Sequence, residues 1–281
     1  MRKRLPEWLR NKSPLTAEAN QVREVLTELR LNTVCHSAQC PNRGQCYGEG
    51  TATFLILGEV CTRNCRFCAV TKGTVQPVDL TEPERVLAAV ARLRLKHAVI
   101  TSVTRDDLPD GGAYQFVKII RLIKEKLPQV SVEVLTPDFK GDKDAILFVA
   151  EAGPDIYNHN LETVSRLYEK IRPEADYKRS LDLLKWVKEY GKTLMTKSGI
   201  MVGLGETLGE VERVMDDLRE VDCDILTIGQ YLQPTRNHLP VIEYVKPETF
   251  EVWRELALGK GFKHVASGPL VRSSFHAGQY K

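Results

Sequence analysis

Long apolar runs are missing from this sequence. The longest, FLIL, AILFVA and IMV, fall well short of the ~20 residues that cross a bilayer. The opening MRKRLPEWLR lacks the apolar stretch of a secretory signal, so a cytoplasmic location with no membrane partner is expected. An excess of one charge is missing too. Forty Lys and Arg stand against 37 Asp and Glu, a formal net charge of +3, with both signs interleaved, whereas a nucleic-acid binder usually concentrates its basic residues on one face or helix. The one dense basic run, Arg2, Lys3 and Arg4, reads as a solvated terminus, and no nucleic-acid partner is expected. No internal repeat is visible. A hydrophobic content of 42% over 281 residues excludes a disordered linker and fits one large domain or two small ones. A chain of this length buries roughly three quarters of its surface and needs no disulfides to hold a fold. Its cysteines therefore need another explanation. Six of the seven (Cys35, Cys40, Cys46, Cys61, Cys65 and Cys68) lie between positions 35 and 68, where even scattering would put about one.

From Ala52 onward, short β-branched and apolar runs alternate with stretches of helical period, the pattern of a parallel sheet with crossover helices. Strands are expected at ATFLIL, HAVITSV, SVEVL, DIYN, SGIMVG, DILTIG and KHVAS. Helices are expected at Thr81 to Lys96, opened by a Thr81–Glu84 capping box, at Ala113 to Leu127 and at Asp142 to Ala152, ended by Gly153. Two more run from about Glu162 to Tyr190, and others cover Leu208 to Val221 and Glu248 to Leu258. Six strand–helix units with a seventh short strand give an α/β fold, a partial β/α (TIM-like) barrel with N-terminal and C-terminal extensions. Residues 1–51 form the first extension, 52–270 the barrel and 271–281 the second. In such barrels the reactive groups sit on loops after the strands' C-terminal ends. Those loops are CTRNCRFC, TRDDLPDGG, TPDF, NHNLET, GLGE, GQYLQP and SGP.

Cys61, Cys65 and Cys68 make a C-x3-C-x2-C loop directly after the first strand. Thiolates this close on one turn can wrap a small inorganic core, and three ligands leave one iron of a four-iron cluster open to another molecule. Cys35, Cys40 and Cys46 make a second triad, C-x4-C-x5-C, with Pro41 and Gly44 permitting tight turns. Structural zinc sites usually pair C-x2-C units a dozen or more residues apart, a form that neither triad has. Closely spaced cysteines in a reducing compartment favour metal ligation over disulfides. Cys223, alone before DILTIG, reads as a small buried hydrophobe.

The C-x3-C-x2-C loop, with Phe67 before its last cysteine, resembles the signature of the radical S-adenosylmethionine superfamily. Together with the earlier triad, RSSFHA (Arg272 to Ala277), PEWLR, NHNLET, GLGE and GQYLQP, the likeness extends over nearly the whole chain to the lipoyl synthase family. That resemblance implies two 4Fe-4S clusters and S-adenosyl-L-methionine as cofactors. Cys61, Cys65 and Cys68 would hold the cluster whose open iron chelates S-adenosylmethionine, and its reduction gives a 5′-deoxyadenosyl radical. Cys35, Cys40 and Cys46, with Ser274 as fourth ligand, would hold an auxiliary cluster. In the family this cluster is consumed to supply sulfur to C6 and C8 of a protein-bound octanoyl-lysine. The implied partners are octanoylated carriers (the glycine cleavage H protein and the lipoyl domains of 2-oxo acid dehydrogenases), a reductant such as ferredoxin or flavodoxin, and an iron–sulfur carrier. The chemistry is coherent, since a methylene C–H offers no acidity to a side chain and radical chemistry belongs to a cofactor.

By the same resemblance, Gly111 and Gly112 stand where the superfamily carries a Gly-Gly-Glu motif, with Ala113 in place of the acid. A plain DGG turn fits those residues equally. Gly203, Gly205 and Glu206 resemble the glycine-rich segment beside the adenosyl group, though a strand-to-helix turn uses the same glycines. Asn158 and Glu162 are candidates for ribose contacts and Gln230 for a further cofactor contact, each alongside a capping or surface reading. His36, His159, His238 and His276 read as solvated or hydrogen-bonded histidines. Arg43 and Arg272 flank the auxiliary ligands and could position substrate or stabilise an anionic cluster. Competing functions are a biotin synthase-like or methylthiotransferase-like enzyme and a non-enzymatic iron–sulfur or zinc module. Acid-labile sulfide separates the zinc reading from the rest.

Overall fold

A computed structural model describes residues 5–10, 16–49, 52–274 and 277–279. Arg2, Lys3 and Arg4 lie outside the described residues, as do Phe275 and His276 of the C-terminal motif. Helix α1 (Ala17–Glu28) starts where the Thr16 hydroxyl accepts from the Ala19 N–H, and it buries Val22, Val25 and Leu26. Strand β1 (Asn32–Thr33) and two short helices, α2 (Val34–Ser37) and α3 (Arg43–Gly48), follow. Strand β2 (Thr53–Ile56) opens the repeat, and the two-residue strands β3 (Val60–Cys61) and β4 (Thr71–Lys72) bracket the second cysteine loop by pairing in parallel.

The repeat then runs α4 (Glu82–Arg92), β5 (His97–Ser102), α5 (Ala113–Lys126), β6 (Ser131–Leu135), α6 (Lys143–Glu151) and β7 (Ile156–Asn158). It continues through α7 (Tyr168–Ile171), α8 (Tyr177–Tyr190), β8 (Met195–Val202), α9 (Leu208–Glu220), β9 (Ile225–Gln230), α10 (Pro247–Gly259) and β10 (His264–Gly268). The sheet order is β1-β2-β5-β6-β7-β8-β9-β10, with β1 antiparallel to β2 and every later pairing parallel. The α/β partial barrel read from the sequence is the fold observed.

Two local expectations fail. Thr81 does not cap α4, because its hydroxyl and N–H both turn to the Asp79 carboxylate at 2.7 and 2.9 Å. A complete capping box forms instead at α9, between Thr207 and Glu210. Nor does a helix start at Glu162, which sits at φ +66°, a conformation that cannot propagate a right-handed helix. Regular α8 begins only at Tyr177, where Asp176 accepts from the Arg179 N–H at 2.7 Å. At the start of α5, Gly112 has φ +90°, and a Cβ there would overlap the Leu57 side chain. Glycine at this position is set by backbone and packing.

Candidate functional site

The C-terminal ends of the barrel strands, the N-terminal cysteine segment and residues 271–274 enclose a cavity of about 590 Å³. Cys35, Cys40, Cys61, Cys65, Cys68, Phe67 and Ser274 all line it. Cys46, half-buried on α3, stands outside the wall. All seven cysteines are free thiols.

The second cysteine loop is clamped from several sides. Thr62 donates its N–H and hydroxyl to the Thr104 carbonyl, each at 3.0 Å, and its hydroxyl accepts from the Asp106 N–H at 3.1 Å. Between Cys61 and Cys65, the buried Arg63 guanidinium reaches Asp106 at 2.6 and 2.9 Å and Asp138 at 2.6 Å. Burial pushes the Asp138 carboxyl up, but Arg63 more than offsets it and holds the group well below the ordinary carboxylate range. Farther along, the Arg66 N–H donates to the Ile171 carbonyl at 2.8 Å, and a His238 ring nitrogen lies 3.0 Å from the Cys68 carbonyl. The loop that carries the thiols is thus fixed by polar contacts from neighbouring barrel loops.

Burial, with neighbouring thiols adding, pushes Cys65 up to about 11 and Cys68 up to about 12. Such thiols stay protonated until a cation arrives to take the thiolates, and metal binding then releases the protons. Among the described residues no three Cys, His, Asp or Glu side chains gather around a point that could hold one ion. Cys61, Cys65 and Cys68 all line one cavity. The donor set and the cavity fit an iron–sulfur cluster here.

The first triad is built differently. Thr33 caps α2 by accepting from the His36 N–H at 3.3 Å, and the Cys40 N–H closes on the Cys35 carbonyl at 3.1 Å. Cys35 is buried, which raises its thiol pKa, and it hydrogen-bonds Thr53. The Thr53 hydroxyl donates to Ser274 Oγ at 2.8 Å. Asn42 Nδ2 donates to the Leu270 carbonyl at 2.6 Å, tying this loop to the returning C-terminal segment. That segment passes β9 at Gly229, where a Cβ would overlap the Val271 carbonyl oxygen. Cys35 and Ser274, 239 positions apart in the chain, thereby meet across one threonine. Arg272 is half-buried and lines the cavity near Cys40, whereas Arg43 stands at the start of α3 outside the cavity wall.

The remaining candidates divide. Glu162 lines the cavity and accepts from Asn160 at 3.0 Å; burial raises its carboxyl pKa. Gln230 lines it too, but its amide is spent on the Val202, Tyr231 and Glu243 carbonyls and the Val245 N–H. Gly111 and Gly112 face Phe139 and Leu57 instead of the cavity. Gly203 and Gly205 are likewise outside the wall, and the Glu206 carboxylate accepts from the Gly203 and Leu204 N–H groups. Asn158 is fully buried and bonds Glu133 and Ser273.

Several residues of the site escaped the sequence reading. Arg63 with Asp106 and Asp138 is one group. Another is Arg172, buried in the wall, which donates to the Asn160 and Leu161 carbonyls at 2.8 and 3.1 Å. A third feature is the fully buried Glu133–Lys197 ion pair at 2.9 Å. The one available signal was a charged residue inside a strand, Glu133 in SVEVL and Lys197 in MTKSGIMV. His159, read from the sequence as a solvated or hydrogen-bonded histidine, faces the Thr136 carbonyl through Nδ1 at 2.9 Å, and burial takes its pKa down to about 4, so the ring is neutral.

Residues 55–218 match the radical SAM superfamily, and residues 1–40 match the N-terminal domain of lipoyl synthase. A lipoyl synthase from Caldanaerobacter subterraneus is 60% identical over 274 residues, covering 98% of this chain and 96% of the relative. One from Rubrobacter xylanophilus is 56% identical over 272 residues, covering 97% and 85%. Among solved structures, methylornithine synthase (PylB) superposes with TM-score 0.54 at 16% identity, over 90% of this chain and 82% of that one. SuiB of Streptococcus suis bound to S-adenosylmethionine gives TM-score 0.60 at 13% identity, over 80% and 53%. These two show the likeness of fold. No helix among the described residues is long and apolar enough to cross a membrane.

Proposed function

Because the chain belongs to the lipoyl synthase family of the radical S-adenosylmethionine superfamily, we propose that the cavity at the C-terminal ends of its strands is where that family's sulfur insertion takes place. The enzyme is a sulfurtransferase with 4Fe-4S clusters and S-adenosylmethionine as cofactors, and it acts on a protein-bound octanoyl group with the help of a reductant. When bound, these groups supply the radical that takes hydrogen from unactivated carbons and the sulfur that replaces it.

One observation carries the site assignment: cysteines of both triads and Ser274 line the same cavity. Cys61, Cys65 and Cys68 are the proposed ligands of the cluster that binds S-adenosylmethionine, with Glu162 on the wall beside them as a polar contact. Cys35, Cys40, Cys46 and Ser274 are the proposed ligands of the auxiliary cluster. The chain's own residues orient and exclude. Arg63 fixes the cysteine loop, and apolar residues such as Val103, Leu135 and Ile200 line the wall, where an octanoyl chain can lie away from water. The division into residues 1–51, 52–270 and 271–281 follows the same reading, because both ends of the chain serve the auxiliary site. The proposed carriers are the glycine cleavage H protein and the lipoyl domains of 2-oxo acid dehydrogenases. Ferredoxin or flavodoxin is the proposed electron source, and an iron–sulfur carrier the proposed source of new clusters.

The test is to incubate reconstituted, reduced protein with S-adenosylmethionine and an octanoyl-lysine peptide and weigh the product. Replacement of two hydrogens by two sulfurs is expected, and its absence while a control lipoyl synthase succeeds would refute the proposal.

A further inference from the structure

Three neighbouring strands point polar side chains into the barrel beneath the cavity: Glu133 on β6, Asn158 on β7 and Lys197 on β8, all fully buried. Asn158 pairs in register with Lys197 on β8. Lys197 donates to both Glu133 oxygens, at 2.9 and 3.2 Å. Burial pushes the Glu133 carboxyl up, but Lys197 and His97 more than reverse this, so it is ionised and can only accept. That fixes the Asn158 amide. Nδ2 must face the carboxylate, and it donates to Glu133 Oε1 at 3.0 Å.

The second Nδ2 hydrogen reaches Ser273 Oγ at 2.7 Å. With that oxygen accepting, the Ser273 hydroxyl donates onward to Asn160 Oδ1 at 3.1 Å, and Asn160 Nδ2 donates to Glu162 at 3.0 Å. A directed chain of hydrogen bonds therefore starts at an ion pair in the barrel core and passes through the C-terminal segment. It ends on the wall beside the second cysteine loop. Ser273 is the neighbour of Ser274, and consecutive Cα atoms are held about 3.8 Å apart. Fixing the one confines the other.

We propose that Asn158 and Ser273 are positioning residues that aim Ser274 at the auxiliary cluster, an inference that rests on reading Ser274 as that cluster's fourth ligand. Both Asn158 amide hydrogens are spent, one on Glu133 and one on Ser273. The Glu133–Lys197 pair is the fixed end of the device. A buried ion pair is a costly way to stabilise a core, but it supplies an acceptor of invariant direction.

The test uses the full-length chain with Cys61→Ala, Cys65→Ala and Cys68→Ala, reconstituted so that only the auxiliary cluster remains. Loss of iron to a chelator is timed, and the Mössbauer spectrum is recorded. Ser273→Ala removes two hydrogen bonds and is expected to speed iron loss by at least roughly 3- to 10-fold, the factor for one, with Ser273→Thr restoring the parent rate to within about twofold. Asn158→Ala should match Ser273→Ala, and if it fails to fold Ser273→Ala carries the test alone. Ser274→Ala should be at least as labile and should change the spectrum of the iron it ligates. If Ser274→Ala is labile while Ser273→Ala behaves as the parent, the positioning role is refuted and the ligand reading survives. If Ser274→Ala itself behaves as the parent, the ligand reading falls and takes the positioning role with it.

Discussion

Replacing Asp138 by Asn tests the physical account of the cysteine loop. The Asp138 side chain is fully buried and takes Arg63 at 2.6 Å and Arg179 at 2.8 Å, while its Oδ1 also accepts from the Lys140 N–H at 3.1 Å. Asparagine keeps the shape and the acceptor for Lys140 but removes the charge between two guanidinium groups. Removing one partner from a buried pair costs about 3–5 kcal/mol. Arg63 keeps its two bonds to Asp106, so the lower end, about 3 kcal/mol, applies. At roughly 2 °C per kcal/mol for a chain of this size, the melting temperature of reconstituted Asp138→Asn should fall by about 6 °C, as followed by circular dichroism. The pH dependence has a definite sign. The folded carboxyl lies well below its unfolded value of about 3.9, so the stabilisation is complete above that pH. It drains away as the pH falls toward the folded value, at up to ~1.4 kcal/mol per unit. The gap between parent and variant should hold from about pH 8 to pH 5 and narrow only below about pH 4. A drop of less than about 2 °C, or a gap that already closes between about pH 7 and 6, would refute the argument and point instead to a histidine.

Two further outcomes follow from packing. Gly229→Ala places a methyl group against the Val271 carbonyl oxygen, so the C-terminal segment must shift. Iron in the reconstituted chain should fall from about eight atoms to about four as the auxiliary cluster is lost, and a full complement would refute the close approach. Cys223 is fully buried, and burial pushes its thiol up to about 12. Native protein should leave this thiol unlabelled by thiol reagents, and Cys223→Ala should keep all its iron at a cost of about 1 kcal/mol in denaturation; lost iron would show that it serves a cluster.

The barrel was legible because each strand is an apolar, β-branched run of the right length and each helix carries a spaced apolar face. The signals that failed were local. Thr81 and Glu84 have capping-box spacing, but Asp79, two residues earlier, offers the threonine a nearer partner. The cysteine triads stood out by their spacing, and the roles proposed for them came from the family resemblance. Their supporting cast did not stand out, because Arg63 meets Asp138 across 75 positions and Asn158 meets Ser273 across 115. Only the closing of the sheet brings such pairs together. Charges inside strands β6 and β8 were the visible trace of one of them.

The return of residues 271–274 into the barrel also sets an order of manufacture. During synthesis, Cys61, Cys65 and Cys68 leave the ribosome about 200 residues before Ser274, an interval of roughly 10–40 s at ordinary elongation rates. The loop that would hold the reusable cluster can be complete while most of the barrel is still being made. A sulfur store that needs Ser274 cannot be closed until that residue has been made, so a chain truncated before it could acquire the first cluster but would hold the second with its fourth corner open.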